Sequence, residues 1–354
     1  MTKMTQEMFW RKKVMLYYFL ALCVFLIHIS TFSNYTPDNS ICSSVVVFLH
    51  RISTRCTRVA FPLFFILSGA LFFRNYSQKK YLEKLKKRFH SLFIPLICWN
   101  VLSLLFAITT TVLLSQYFVG RPTFDFSLAS FLRTIFLAQE NIPFWFVIAL
   151  IYFVVLSPVF YLLLKNKWIG LIVILAAIAF YVLDIHIPRD IISEPDSMIY
   201  YLTGAYIGIH RFDILRIRSD KLSALCLVIF ISCSVLLYSL PCKAIMFCHN
   251  STYHLLWVSI ILIDCFALYY AFDLMMKCVG YRPFMAHSFW VYAIHSNLSA
   301  CITKLIFFIT GNHVCLSLVN FFLTILLTLV LIEIIASLLN KYCHPLYRIL
   351  SGNR

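Results

Sequence analysis

Charge is scarce in this sequence. Asp, Glu, Lys and Arg make up 12% of its 354 residues, about half the share in soluble domains. Glycine (8 residues) and proline (11) are few, and no fixed-period repeat or low-complexity tract occurs. Collagen, coiled coil and disorder are thereby excluded. What fills the sequence is apolar. Hydrophobic residues reach 62%, and the share is still about 58% on the residue set for which soluble domains show roughly 45–50%. The mean hydropathy of +0.87 has no polar third to offset it, which rules out a soluble globular enzyme. No linker long enough to separate domains is visible, so residues 1–354 read as one membrane domain without a soluble fusion domain. Thirteen cysteines occur without a CxxC or a zinc-like Cys/His spacing, so no metal is expected. Most lie in apolar runs, where a thiol behaves as a small hydrophobe. Only Cys242 and Cys248, in one predicted outer loop, are placed to pair.

The fold class is all-α and polytopic, with about ten transmembrane helices of about 20 apolar residues each. Length and punctuation place the spans at about 14–33, 57–73, 89–118, 143–164, 168–185, 198–210, 222–240, 254–275, 288–310 and 315–339. The first run lacks a small-residue cleavage site and reads as an uncleaved anchor. The net charge of +16 would suggest nucleic acid in a soluble protein, but here the cations sort by topology. Lys3, Arg11-Lys12-Lys13, the seven from Arg74 to Arg88, Lys165, Lys167, Arg211, Arg216, Arg218, Lys221, Lys277, Arg282, Lys341, Arg348 and Arg354 all fall on one side. The positive-inside rule makes that side, and both termini, cytoplasmic. Asp38, Asp125, Glu140, Asp190, Glu194 and Asp196 fall in outer loops.

Some polar residues are not explained by topology. His28 lies near the outer end of the first span, where an ionisable group is costly and functional by default. Arg51, Arg55 and Arg58 stand on the outer side, against the trend. Their spacings of four and three put them on one helical face, leading into a segment with Pro62 and Ser68-Gly69. The run Lys79-Lys80-Tyr81-Leu82-Glu83-Lys84-Leu85-Lys86-Lys87-Arg88 is basic and amphipathic, suited to anionic lipid or to the phosphates of a nucleotide-like cofactor. A second histidine, His295, enters a later span, while Trp145 belongs to an aromatic cluster at an outer interface. Asp264 and Glu333 are mid-span and rank below the histidines.

In order along the chain these segments resemble the acyltransferase-3 family of integral membrane O-acyltransferases, which includes bacterial enzymes that acetylate surface polysaccharides. The matching pieces are a first span ending in His28 and the block from Arg58 through Pro62-Leu63-Phe64-Phe65 to Ser68-Gly69. Lys87-Arg88 ahead of Phe93-Ile94-Pro95 to Trp99 follows, then Phe144-Trp145-Phe146 with Tyr152, and Tyr292-Ala293-Ile294-His295. They cover residues 10 to about 345. The resemblance implies a multi-pass protein of the bacterial cytoplasmic membrane. It would transfer an acyl group, usually acetyl, from cytoplasmic acyl-CoA to a hydroxyl of a cell-envelope saccharide. It implies His28 as the catalytic base and Arg58 as its charged neighbour. Lys84, Lys87 and Arg88 would bind the donor, and Arg55, Ser68, Trp145 and His295 would line the site or meet the acceptor. In many relatives an Arg lies early in the first span; Arg11 is the nearest here. A saccharide or lipid-linked-saccharide transporter without chemistry is the alternative, though the internal symmetry it would show is not visible. A membrane-embedded sensory protein would explain the basic surface but not two histidines.

Overall fold

The computed structural model describes residues 3–29, 41–113, 124–185, 195–210, 219–239, 251–311 and 314–353. Cys242, Cys248, Asp38, Asp190, Glu194, Arg211, Arg216, Arg218 and Arg354 lie outside them. Among the described residues every regular element is a helix. In order these are α1 (Lys3–His28), α2 (Ile41–Arg55), a 3₁₀ turn (Cys56–Val59), α3 (Ala60–Phe73), α4 (Tyr81–Arg88) and a π turn (Phe89–Phe93). Next come α5 (Ile94–Val112), α6 (Leu128–Leu137), α7 (Trp145–Val155), α8 (Ser157–Leu164), α9 (Lys167–Val182) and α10 (Ser197–Ile209). The chain closes with α11 (Asp220–Ser239), α12 (Ser251–Val279), α13 (Ser288–Thr310), α14 (Val314–Tyr342) and α15 (His344–Leu350).

Among the described residues six helical runs are long and apolar enough to cross a membrane, or up to eight if each of two bent pairs is one crossing. Ten spans were expected, a count these runs do not confirm, and the expected spans not among them have local features. The apolar part of α1, 14–28, is shorter than a full span and follows Arg11, Lys12 and Lys13, and α10 has only 13 residues. The run expected at 143–164 breaks between α7 and α8, where Pro158 opens a new helix. The pair α8 and α9 is bent by 119°. Two other runs extend further than expected: α2 joins α3 through the 3₁₀ turn in one 33-residue stretch, and the basic α4 joins α5 in one of 35.

The chain divides into two compact units: Met1–Cys23 with Arg55–Lys86 and Ala149–Ala286, and Val24–Thr54 with Lys87–Ile148 and His287–Arg354. The first is built on α3 against α10, which approach backbone to backbone. A Cβ on Gly69 would stand 2.5 Å from the Tyr201 carbonyl oxygen, and one on Gly204 or Gly208 would collide with the Ile66 or Ala70 backbone. Small residues at such crossings replace the hydrophobic drive that lipid does not supply. Gly69 of the Ser68-Gly69 pair therefore serves packing. In the second unit the Trp99 indole donates to the Leu350 carbonyl at 3.0 Å, and Trp290 donates to the Ser351 hydroxyl at 2.9 Å while stacking on Tyr347. These contacts tie α5 and α13 to α15 and account for Trp99 in the Phe93-to-Trp99 segment.

Candidate functional site

The second unit holds four of the five segments singled out in the sequence, and three of them meet around His295. His28 is the last residue of α1. Its ring centre lies 5.5 Å from that of His295 on α13, with the planes 36° apart. Phe25, one turn earlier on α1, packs against the His295 ring at 5.7 Å and belongs to an apolar cluster with Ile29 and Phe321. His295 is fully buried (0% exposed). Its Nδ1 lies 3.0 Å from the Val291 carbonyl and 2.8 Å from the Tyr292 carbonyl of its own helix. Carbonyls only accept, so Nδ1 carries the proton and Nε2 presents a lone pair. Among the described residues that Nε2 has no hydrogen-bond partner.

Tyr292, a turn before His295, connects this pair to the aromatic segment. Its hydroxyl donates to the Pro143 carbonyl, and its ring meets Phe144 at 5.3 Å and Phe146 at 6.2 Å. The half-buried Trp145 stands between those two residues at the start of α7. Two imidazoles and a wall of aromatic rings are thus held together by one helix. Neutral histidine is the side chain best suited to taking a proton from a hydroxyl near neutral pH.

The other expected site residues are described within their own units. Lys87 and Arg88 belong to the second unit, at the junction of α4 and the π turn, exposed and half-buried respectively. Arg55, Arg58, Ser68 and Lys84 belong to the first. Arg58 is exposed in the 3₁₀ turn and Ser68 is half-buried on α3. Arg55 donates to the Tyr238 carbonyl at the end of α11, 2.8 Å away. Lys84 donates to the Phe72 carbonyl and, at 3.1 Å, to that of Arg74. Both cations satisfy carbonyls left open at helix C-termini, a role as structural as it is electrostatic.

Two features of the first unit were not singled out from sequence. Lys12, expected among the topology-setting cations, is 1% exposed and pairs with Asp273 of α12 at 2.7 Å, its ammonium 3.7 Å from the centre of the Tyr269 ring. The signal for it was an acid within the apolar run Phe272-Asp273-Leu274, since such a group needs a partner. Asp264, two and a half turns earlier on α12, is fully buried, and neither carboxyl oxygen has a hydrogen-bond partner among the described residues. Glu333, the other mid-span acid, pairs with His287 Nδ1 at 2.8 Å in the second unit. Among the described residues no three His, Cys, Asp or Glu side chains converge as metal ligands. Cys42 is disulfide-bonded.

A family model described as an acyltransferase domain matches residues 18–339, nearly the whole chain. No curated protein and no solved structure matches.

Proposed function

The chain belongs to the acyltransferase-3 family, and on that premise we propose that it is a membrane O-acetyltransferase acting on a cell-envelope saccharide. The donor is acyl-CoA, the acceptor a saccharide hydroxyl, and the site is His28 with the aromatic wall around His295. The observation that carries this reading is the closeness of His28 to a buried imidazole 5.5 Å away, whose Nδ1–H is spent on its own helix, in a chain of an acyl-transferring family.

The reaction needs a base because a sugar hydroxyl is too weak an acid to attack a thioester at neutral pH. His28 takes the hydroxyl proton as the oxygen adds to the thioester carbonyl. The tetrahedral intermediate collapses, breaking the carbon–sulfur bond, and His28 returns the proton to the departing CoA thiolate. A positioned base of this kind is worth roughly 10² to 10⁴ in rate. A cation or backbone N–H on the developing oxyanion adds about 10² to 10³, and Arg58 is the side chain assigned to it. Lys84, Lys87 and Arg88 attract the CoA phosphates. Arg55, Ser68 and Trp145 meet or guide the acceptor.

The charge asymmetry supports a cytoplasmic N-terminus and donor in the bacterial inner membrane. The disulfide at Cys42 supports an oxidising outer side at the start of α2. From Lys13 to His28 the helix rises about 22 Å, so the pantetheine arm must reach through the protein. The test is the mass of envelope polysaccharide from cells with and without the gene. Loss of acyl mass at an unchanged polysaccharide amount is the expected result. A change in amount with acylation intact would mean transport and would overturn the proposal.

A further inference from the structure

The reading of His28 as base leaves the partner histidine unexplained. His295 is fully buried, yet among the described residues one of its ring nitrogens has no hydrogen-bond partner. Its Nδ1–H is committed to two carbonyls of its own helix, which fixes the tautomer and prevents ring flipping without loss of both bonds. Tyr292, whose carbonyl is one of those acceptors, is itself pinned through its hydroxyl to Pro143 and flanked by Phe144. A buried acceptor left without a donor is destabilising, and here it is built into a rigid surround. The nearest ring able to supply a donor is His28, with 5.5 Å between centres. The structure does not itself make this bond, since His295 Nε2 has no partner among the described residues, but a hydrogen bond of about 3 Å between nitrogens, with an imidazole at each end, fits the separation of the centres once the two rings turn toward each other.

We infer that His295 is a positioning residue for His28: its Nε2 accepts an N–H of the His28 imidazole and so fixes which nitrogen of His28 faces the substrate hydroxyl. The arrangement follows the general logic of a base oriented by a third group, with a neutral imidazole in place of the usual carboxylate. When His28 takes the proton, the same bond holds the imidazolium; the proton stays on His28 and passes to the thiolate, and His295 remains neutral throughout. The inference rests on His28 being the base, so its test has one readout that depends on activity and one that does not.

The first readout is acylation of envelope polysaccharide, by mass, in a strain lacking the gene and carrying variants at matched membrane levels. His295→Leu and His295→Phe are expected to lose about 100-fold, and His295→Gln, whose side-chain oxygen restores an acceptor, to recover most of it. Equal loss in all three means the ring serves packing, and activity within threefold of wild type in either apolar variant means no role; each overturns the inference. If His28→Ala is also fully active, it is the assignment of the base that has failed.

The second readout is ¹⁵N resonances of the ring nitrogens in histidine-labelled protein in detergent, assigned among the 11 histidines by His28→Gln and His295→Gln difference spectra. Wild type is expected to show His295 protonated at Nδ1 and His28 as a single tautomer. His28 should become a mixture in whichever apolar variant accumulates. A His295 protonated at Nε2 in wild type, or His28 resonances unmoved by the apolar variant, overturns the inference whatever the activity.

Discussion

A lysine and an aspartate that are both out of water depend on each other, and Lys12 with Asp273 is such a pair, roofed by the Tyr269 ring. Removing one partner strands the other charge, at a cost of about 3–5 kcal/mol, whereas replacing both with apolar residues is often neutral. Lys12→Met is therefore expected to lower the thermal unfolding midpoint in detergent sharply, and Lys12→Met with Asp273→Leu to recover most of the loss. Equal midpoints for single and double variants would contradict the pairing. This residue also marks a limit of reading sequence. Arg11, Lys12 and Lys13 form one basic run that serves the positive-inside rule equally well, but successive residues on a helix point about 100° apart. Only the middle one turns inward, while Arg11 pairs with Glu7 at the surface. Nothing local distinguishes them. The same holds for Arg55 and Lys84, visible in sequence as cations but not as caps of distant or preceding helix ends.

Helices in lipid associate by close fit, so the glycines between α3 and α10 set that contact. Gly204→Val would drive methyl groups into the Ile66 backbone and is expected to abolish the folded fraction, read as the monodisperse peak of a fluorescent fusion on size exclusion. Gly280 has φ +69° and open space around it, so Gly280→Asn, a residue that tolerates the left-handed region, is expected to leave that peak unchanged. Most helices were legible from apolar run length: Ser288–Thr310 matches its expected span, and α10, α11 and α12 fall within a few residues. The departures occur where run length is uninformative. A 3₁₀ turn continues a helix through Cys56–Val59, and a break at Leu156 divides an unbroken apolar run. The site was legible as segments, because histidines and aromatics stand out in lipid-facing sequence. Their meeting on one side of α13 was not, since it depends on contacts between residues far apart in the chain.

For the whole molecule, scarcity of charge is what makes the remaining charge readable. On the proposed orientation the basic residues face the cytoplasm, and the free, exposed Cys278 and Cys343 lie on the segments it places there. A membrane-impermeant maleimide is expected to label neither in intact spheroplasts and both after permeabilisation; labelling of Cys343 in intact spheroplasts would invert the topology and place the donor on the wrong side. The central claim is that His28 is the base of an acyl transfer to the envelope. Its most direct measurement is the acyl content, by mass, of envelope polysaccharide from a strain carrying only His28→Ala, with membrane levels matched to wild type. The account predicts inserted protein and acylation at the level of the gene deletion. Wild-type acylation in that strain would contradict it.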